Sequence, residues 1–252
     1  MSRKINAWRL VILVAGVAGW WLIAKLAGGN FIPTPPQTIA AAVAIGGDGT
    51  LARATLDTTI VFLSGFVLAA VIAIPAGLIM GGVRIVGAAF EPYVDALSAM
   101  PRVAFIPLII VFLGLGFPAK IAIVFLGAAM PILINTYAGV LNCDGELVEM
   151  ARSAGATEPQ VFRKVMLPGA FPYITAGLRV GASLALINTV VAELYTAVKG
   201  LGGLLSVYGN SFRMAPYFVV VFVLGALGVI VMQSLKAVER NSDRWRYTHD
   251  RQ

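Results

Sequence analysis

The chain has 252 residues, of which 59% are hydrophobic and 12% are charged, and its formal net charge is +7. An average soluble domain is about one quarter charged. Together with a mean hydropathy of +0.86, this composition excludes a soluble globular protein and indicates a chain embedded in a membrane.

Six apolar stretches along the chain are predicted to cross a bilayer, which takes about 20 apolar residues in a helix, although three of them are uncharged over only 15, 17 and 13 residues. The three clearest stretches carry no formal charge for 26, 23 and 22 residues. The sequence therefore predicts an all-α integral membrane protein with a single domain over residues 1–252. Its predicted spans are approximately residues 8–27, 58–81, 98–117, 119–141, 174–196 and 214–235.

The first apolar stretch follows the basic start MSRK and is open to two interpretations. A cleaved signal peptide would need a small-x-small cleavage site, and none stands clearly before Gly28. Trp8, Trp20 and Trp21 instead suit the two interfaces of a retained membrane anchor. The anchor is the favoured interpretation.

The distribution of basic residues predicts the orientation. With six spans and an N-terminus inside, 14 of the 19 Lys and Arg residues fall on the cytoplasmic side and 5 on the other. This bias follows the positive-inside rule, so both termini are predicted to be cytoplasmic. Since the basic residues are scattered at span ends and form no stripe, no nucleic-acid partner is predicted.

Two acids precede the third predicted span. Glu91 and Asp95 lie four residues apart and could share a helix face as a catalytic carboxylate pair. They stand in a predicted cytoplasmic linker between Arg84 and Arg102. A solvated, salt-bridged face is therefore the favoured interpretation.

A compact polar stretch at residues 144–168 interrupts the apolar sequence on the predicted cytoplasmic side. Asp144 is placed to cap a helix with apolar residues spaced at i, i+3, i+4 and i+7. Gly155 follows, the usual residue for a left-handed C-terminal cap. The apolar positions of this helix are Leu147, Met150, Ala151 and Ala154.

A second short helix is predicted directly after this glycine. Thr157 and Gln160 stand in capping-box positions at its start. Its exposed positions are Arg163 and Lys164, and Leu167-Pro168 is expected to stop it. Its predicted buried residues are Val161, Phe162, Val165 and Met166. The whole is a helical hairpin, and because helices this short are marginal alone, another protein is expected to dock on it.

The residues of the hairpin resemble the EAA loop of ABC-importer permeases. The resemblance rests on Glu149-Met150-Ala151, on Gly155 and on the closing Leu167-Pro168, although the family pattern has alanine where Met150 stands. Further segments resemble the nitrate/sulfonate/taurine branch of this family. They are "EPYVDALSAMPRVAFIPLIIVFLGLG" at 91–116, "AKIAIVFLGAAMPILINTYAGV" at 119–140 and "VVAELYTAVKGLGGLLS" at 190–206.

The resemblance implies a type I ABC importer permease fold whose hairpin is the coupling helix for a cytoplasmic ATPase. It implies two ATPase copies, a second permease subunit (a homodimer), and a periplasmic or lipid-anchored solute-binding protein. It also implies the bacterial inner membrane and no cofactor. Glu149 would pair with a basic or polar group of the ATPase, and Gly155 would allow close backbone approach. Leu147, Met150, Ala151 and Ala154 would form the knob buried in the ATPase.

The lysines and the single histidine independently argue against an enzyme. A P-loop needs a Gly-Lys pair to hold phosphates, and none of the six lysines follows a glycine. The chain has a single histidine, His249, so no histidine-based metal site or catalytic triad is expected. A non-catalytic transport subunit is predicted, with no catalytic residue, no metal and ATP hydrolysis in a partner chain.

The acid expected at membrane depth is Glu193, since only 13 residues separate it from Arg179. It is interpreted either as a pore-side or gate-supporting residue or as a helix-end acid at the outer interface. In the first case its carboxyl group is expected to be paired or protonated. The predicted translocation path comprises Asn135, Asn188, Thr189 and Glu193.

The transported solute stays open at this point. The branch resemblance favours a sulfonate, taurine or nitrate-type anion, and the alternative is a thiamine-pyrimidine, riboflavin or other vitamin precursor. A stand-alone secondary transporter would be expected to show an inverted repeat, which the sequence does not display. A membrane-embedded enzyme would need clustered acids, histidines or serines, which the predicted spans lack.

Overall fold

The structure is a computed structural model that describes residues 2–27, 31–196 and 199–243. Every element within these ranges is helical, which confirms the all-α prediction. In chain order the helices are α1 (Ser2–Leu26), α2 (Pro35–Gly47), α3 (Thr50–Gly82), α4 (Arg84–Ala99), a 3₁₀ turn (Arg102–Phe105), α5 (Ile106–Leu113), α6 (Phe117–Leu141), α7 (Gly145–Ser153), α8 (Glu158–Val161), a π-helical turn (Phe162–Met166), α9 (Leu167–Thr196), α10 (Leu201–Asn210) and α11 (Met214–Asp243).

Within the described residues, five helical stretches are long and apolar enough to cross a membrane, and a sixth is reached if one bent helix pair counts as a span. The five stretches are Trp8–Leu26, Thr50–Gly82, Phe117–Leu141, Glu158–Thr196 and Met214–Ala237.

The third predicted span, residues 98–117, differs from the structure because no continuous helix crosses it. The chain bends by 84° between α4 and the helical turns that follow. Pro101 forces the preceding residue out of the helical region, and Met100 accordingly has a ψ of 136°. Gly114 then ends α5 with a φ of 75°. Two short helices at an angle to each other, α4 and α5, therefore replace the predicted single span.

The prediction that Leu167-Pro168 stops the second hairpin helix is wrong. The helix runs without a break from Glu158 to Thr196. A proline inside a helix lacks its N–H and clashes with the carbonyl four residues earlier. Here the preceding turn widens to π geometry, with the Leu167 N–H donating to the Phe162 carbonyl, and such a bulge gives the proline room.

The chain divides into two compact units. The first comprises Met1–Thr58 with Glu193–Ala226. In it, Trp20 of α1 packs on α11, with its ring 6.3 Å from that of Phe218 and 5.4 Å from that of Phe222.

The second unit comprises Thr59–Ala192 with Leu227–Gln252. Its core lies where α3, α6 and α9 meet, and small residues bring these helices close together. A Cβ added to Gly181 of α9, for example, would lie 2.7 Å from Ile132 of α6. The buried residues of this core are Val61, Phe62, Ala69, Ala73, Val124, Ala128, Ala129, Ile132, Ala182 and Ala185.

Candidate functional site: a capped helical hairpin and two polar clusters

The first arm of the hairpin is α7, and both of its ends are capped as predicted. At the start, the Asp144 carboxylate accepts a 2.9 Å hydrogen bond from the Glu146 N–H. At the end, Gly155 has a φ of 82°. Its N–H donates to the Arg152 carbonyl at 2.9 Å, and the Ala156 N–H donates to the Ala151 carbonyl at 3.1 Å. These two bonds form a Schellman motif, which needs a residue that tolerates positive φ at position 155.

The second arm begins with the predicted capping box. The Thr157 N–H donates to the Gln160 side-chain oxygen at 2.9 Å. An ion pair that sequence reasoning missed joins the arms, because Arg152 donates through two nitrogens to Glu158 at 2.9 and 3.0 Å. The carboxylate raises the pKa of the Arg152 guanidinium above its ordinary value. A bidentate pair of this kind specifies geometry as well as charge, so it favours one angle between the two arms.

The two arms differ in what they bury. Phe162 and Met166 of the second arm pack against a cluster formed by Val140, Ala170 and Ile174. Val161 is also buried, so the predicted burial of these residues is confirmed, and their packing within the second unit anchors this arm.

The apolar face of the first arm is open in this chain. Leu147 is 46% exposed and Met150 is 64% exposed. With Ala151 they line one side of a groove whose other side includes Val165, Pro168 and Tyr173. An exposed apolar face on a helix held by two caps is suited to bind another protein.

Glu149 lies on the same helix. Its side chain is exposed and makes no hydrogen bond or ion pair with any residue that the structure describes, although its charge acts on Arg152, one turn away. A carboxylate of this kind is available to a basic group of a partner. The predicted coupling residues thus share one capped helix and its tip, while Leu167 and Pro168 lie at the start of α9.

Glu193 lies in a polar cluster in the first unit, and it is completely buried. Its carboxylate accepts hydrogen bonds from the Thr58 hydroxyl at 2.9 and 3.0 Å and from the Gly202 N–H at 2.9 Å. The Leu201 N–H donates to the Thr58 hydroxyl oxygen at 2.8 Å. The two side chains therefore satisfy the first two N–H groups of α10, which would otherwise lack partners.

Glu193 stands in the last turn of α9, which ends at Thr196, and its carboxyl group is paired; its role as a gate-supporting or an interfacial acid stays a prediction. The loop closes tightly on the carboxylate, since Gly200 has a φ of 93° and any side chain there would overlap Glu193. The geometry makes Glu193 an anchor for the start of α10. The sequence signal was present in the glycines at 200 and 202, which allow the backbone to approach so closely.

The other predicted path residues lie in α6 and α9. The Asn135 and Asn188 side chains donate 2.8 Å hydrogen bonds to carbonyls of their own helices. They pack against glycines of the facing helix, Gly177 and Gly127 respectively. Thr189 is completely buried and faces no open space in this chain. Their part in translocation stays a prediction.

Arg102 was expected in a cytoplasmic linker, flanking a salt-bridged face. Its guanidinium instead donates a 3.1 Å hydrogen bond to the Gly127 carbonyl in α6. Glu91 and Asp95 form no ion pair within the described part of the chain, so the prediction of a salt-bridged face is wrong. The number of Lys and Arg residues assigned to the cytoplasmic side thereby falls by one, and it still exceeds the number on the other side.

A family model described as "Binding-protein-dependent transport system inner membrane component" matches residues 73–244. The chain belongs to this family. The permease is 33% identical over 236 residues to a probable ABC transporter permease of Brucella melitensis, covering 94% of this chain and 96% of that protein.

Other relatives of the permease have more specific names. It is 32% identical over 253 residues to the putative aliphatic sulfonates transport permease SsuC of Escherichia coli, covering 97% and 96% of the two chains. It is 28% identical over 229 residues to the formylaminopyrimidine transport permease ThiX of Halalkalibacterium halodurans, covering 90% and 91%.

The fold has a solved counterpart in the inward-facing MetNI methionine ABC transporter. The TM-score is 0.62 at 24% identity, covering 77% of the permease and 96% of that chain. The family and this fold confirm that the protein is a multi-pass inner-membrane permease subunit of a binding-protein-dependent ABC importer. Subunits of this type are generally non-catalytic transport components.

Proposed function

We propose that the permease carries a small sulfonate, taurine or nitrate-type anion across the bacterial inner membrane. A periplasmic or lipid-anchored binding protein would deliver the anion. The similarity to SsuC along nearly the whole chain supports this solute class. The similarity to ThiX supports a second candidate, a thiamine-pyrimidine or other vitamin precursor carried by the same architecture.

The hairpin is the place where a separate ATPase would attach. The observation that carries this proposal is the open apolar face of α7 beside the unpaired carboxylate of Glu149. A capped helix with those two features matches the core and rim of a protein interface. Two ATPase copies and a second permease copy would complete the transporter.

Growth of a deletion strain on defined nutrients tests the solute. The strain is expected to fail with ethanesulfonate or taurine as the sulfur source, or with nitrate as the nitrogen source, and to grow on sulfate with ammonium. A plasmid copy should restore growth. Normal growth on every anion, together with a requirement for the thiamine pyrimidine, would favour the second candidate.

The proposed orientation, with both termini in the cytoplasm, has its own test. In a Cys143→Ser background, Lys4→Cys and Arg246→Cys should resist a membrane-impermeant maleimide in intact cells and react after lysis. Asp48→Cys, in the exposed turn between α2 and α3, serves as the control and should react in both. Labelling of positions 4 and 246 in intact cells would show that the termini lie outside and that the proposed orientation is wrong.

A further inference from the structure

Pro131 leaves a gap in the hydrogen bonding of α6. The helix continues through this proline, which has no N–H to offer the carbonyl four residues earlier. That carbonyl belongs to Gly127, and it accepts the hydrogen bond from Arg102 at 3.1 Å. A guanidinium thus replaces the missing backbone donor.

The contact lies deep within the apolar length of α6. Gly127 stands ten residues after Phe117 and fourteen before Leu141, which places it about 15 Å and 21 Å from the two helix ends. The hydrocarbon core of a bilayer is about 30 Å thick. The guanidinium therefore lies near the midplane if α6 spans the membrane.

The packing of α5 agrees with this depth. Ile106, at the start of α5, is buried against Ile123 of α6 and Ala192 of α9. Ile123 is one helical turn before Gly127. The break between α4 and α5, which carries Arg102, is consequently held against the middle of α6. Transporters commonly use discontinuous helices to bring polar groups to the midplane.

The positive charge of Arg102 is not neutralised by a carboxylate within the described residues. Arg152, by comparison, is paired with Glu158. A guanidinium has five N–H donors, and the described contacts of Arg102 use one nitrogen for Gly127. Ionisable groups at membrane depth usually mark a substrate pathway. Here the charge and the remaining donors suit an oxyanion.

We propose that Arg102 contacts the anionic group of the solute as it passes the membrane midplane. Asn188 packs on the same residue, Gly127, and places a side-chain amide beside the contact. This inference rests on the proposed anion transport and names the residue that would recognise the charge. A neutral pyrimidine could accept a hydrogen bond from the guanidinium but would gain no attraction between opposite charges there.

The Gly127 carbonyl also explains how such a site could release its anion. A conducting site must bind strongly enough for entry and weakly enough for exit. The carbonyl dipole takes one donor and offsets part of the guanidinium charge. Arg102 is thereby a weaker anion site than an unengaged arginine.

Pro131→Ala provides a background that separates anion recognition from structural support. Alanine restores the backbone donor to Gly127, so Arg102 is no longer needed for that carbonyl. In this background, Arg102→Met removes the charge and Arg102→Lys keeps it. Each variant would be reconstituted in liposomes as the complete importer, with its ATPase and binding protein, and assayed with radiolabelled ethanesulfonate.

We expect uptake by Arg102→Met/Pro131→Ala to be at least tenfold below that of Pro131→Ala, at equal assembly by size-exclusion chromatography. Arg102→Lys/Pro131→Ala should retain at least one third of it. If the methionine variant fails to assemble, Arg102→Gln in the native background replaces it, because an uncharged amide keeps N–H donors for the Gly127 carbonyl. The same tenfold loss is expected.

Equal uptake by Pro131→Ala and its Arg102→Met derivative would overturn the inference and leave the proposed function intact, since Arg102 would then serve only the Gly127 carbonyl. A wild-type importer that transports none of ethanesulfonate, taurine and nitrate would contradict the proposed solute class itself, and with it this role of Arg102.

Discussion

Substitution of Gly155 by valine is expected to lower solute uptake by the assembled importer about tenfold or more. The residue has a φ of 82°, where a side chain costs about 1–2 kcal/mol, and 1.4 kcal/mol corresponds to a factor of ten. No neighbouring atom lies within 4 Å of a Cβ placed there. The expected loss therefore comes from the backbone of the cap and from its effect on ATPase docking.

Two controls define the cause. Gly155→Asn should retain most of the uptake, because asparagine tolerates the left-handed region. Gly145→Ala, which also has open space around it but no positive φ, should behave like the wild type. Uptake and co-purification of the ATPase would both be measured. Wild-type values for Gly155→Val would show that the hairpin is only a connecting loop.

Glu149→Lys tests the proposed contact between the hairpin and the ATPase by reversing one charge. Because Glu149 is exposed and unpaired within the described residues, reversal of its charge should leave insertion of the permease intact. ATPase attachment or its coupling to hydrolysis should weaken, and Glu149→Gln should give an intermediate loss. Unchanged attachment in both variants would exclude Glu149 from the interface.

Glu193→Ala is expected to cause the largest loss of stability. The substitution removes the acceptor for the Thr58 hydroxyl and the Gly202 N–H, and each buried donor left without a partner costs about 1–3 kcal/mol. For the two donors together the cost is about 2–6 kcal/mol, which at roughly 2–4 °C per kcal/mol corresponds to a fall in melting temperature of roughly 4–24 °C for a chain of this length. Thermal unfolding of the purified permease in detergent would measure it.

Glu193→Gln should lose less, because its side-chain oxygen still accepts from both donors. Glu91→Ala is the matched control, since Glu91 is exposed and makes only a 3.5 Å contact with the Tyr137 hydroxyl. Its melting temperature should stay close to that of the wild type. If the melting temperature of Glu193→Ala equalled that of Glu91→Ala, the Glu193 carboxylate would not anchor α10.

The local features of the hairpin could be predicted because they depend on neighbours in the sequence. The caps at Asp144, Gly155 and Thr157 are specified by residue types within a few positions of each other. The ion pair between Arg152 and Glu158 was missed, because it depends on the angle between two helices, which the intervening glycine sets.

The environments of Arg102 and Glu193 could not be predicted for a different reason. The partners of Arg102 and Glu193 lie 25 and 135 residues away, at Gly127 and Thr58. Nothing in the hydropathy of residues 98–117 distinguishes a straight span from one bent at Pro101. The freed carbonyl at Gly127 can be read from Pro131, but its donor can be found only from tertiary packing.

The helix from Glu158 to Thr196 contains 39 residues and is about 58 Å long. Its first turns form the hairpin arm on which Phe162 and Met166 are anchored, and no loop separates this arm from α9. A docked ATPase that tilts the hairpin would therefore move a segment joined to α9 without an intervening loop. Bending would be concentrated at the π-helical turn and at Pro168 and Pro172, so the movement would reach the membrane through the first turns of α9.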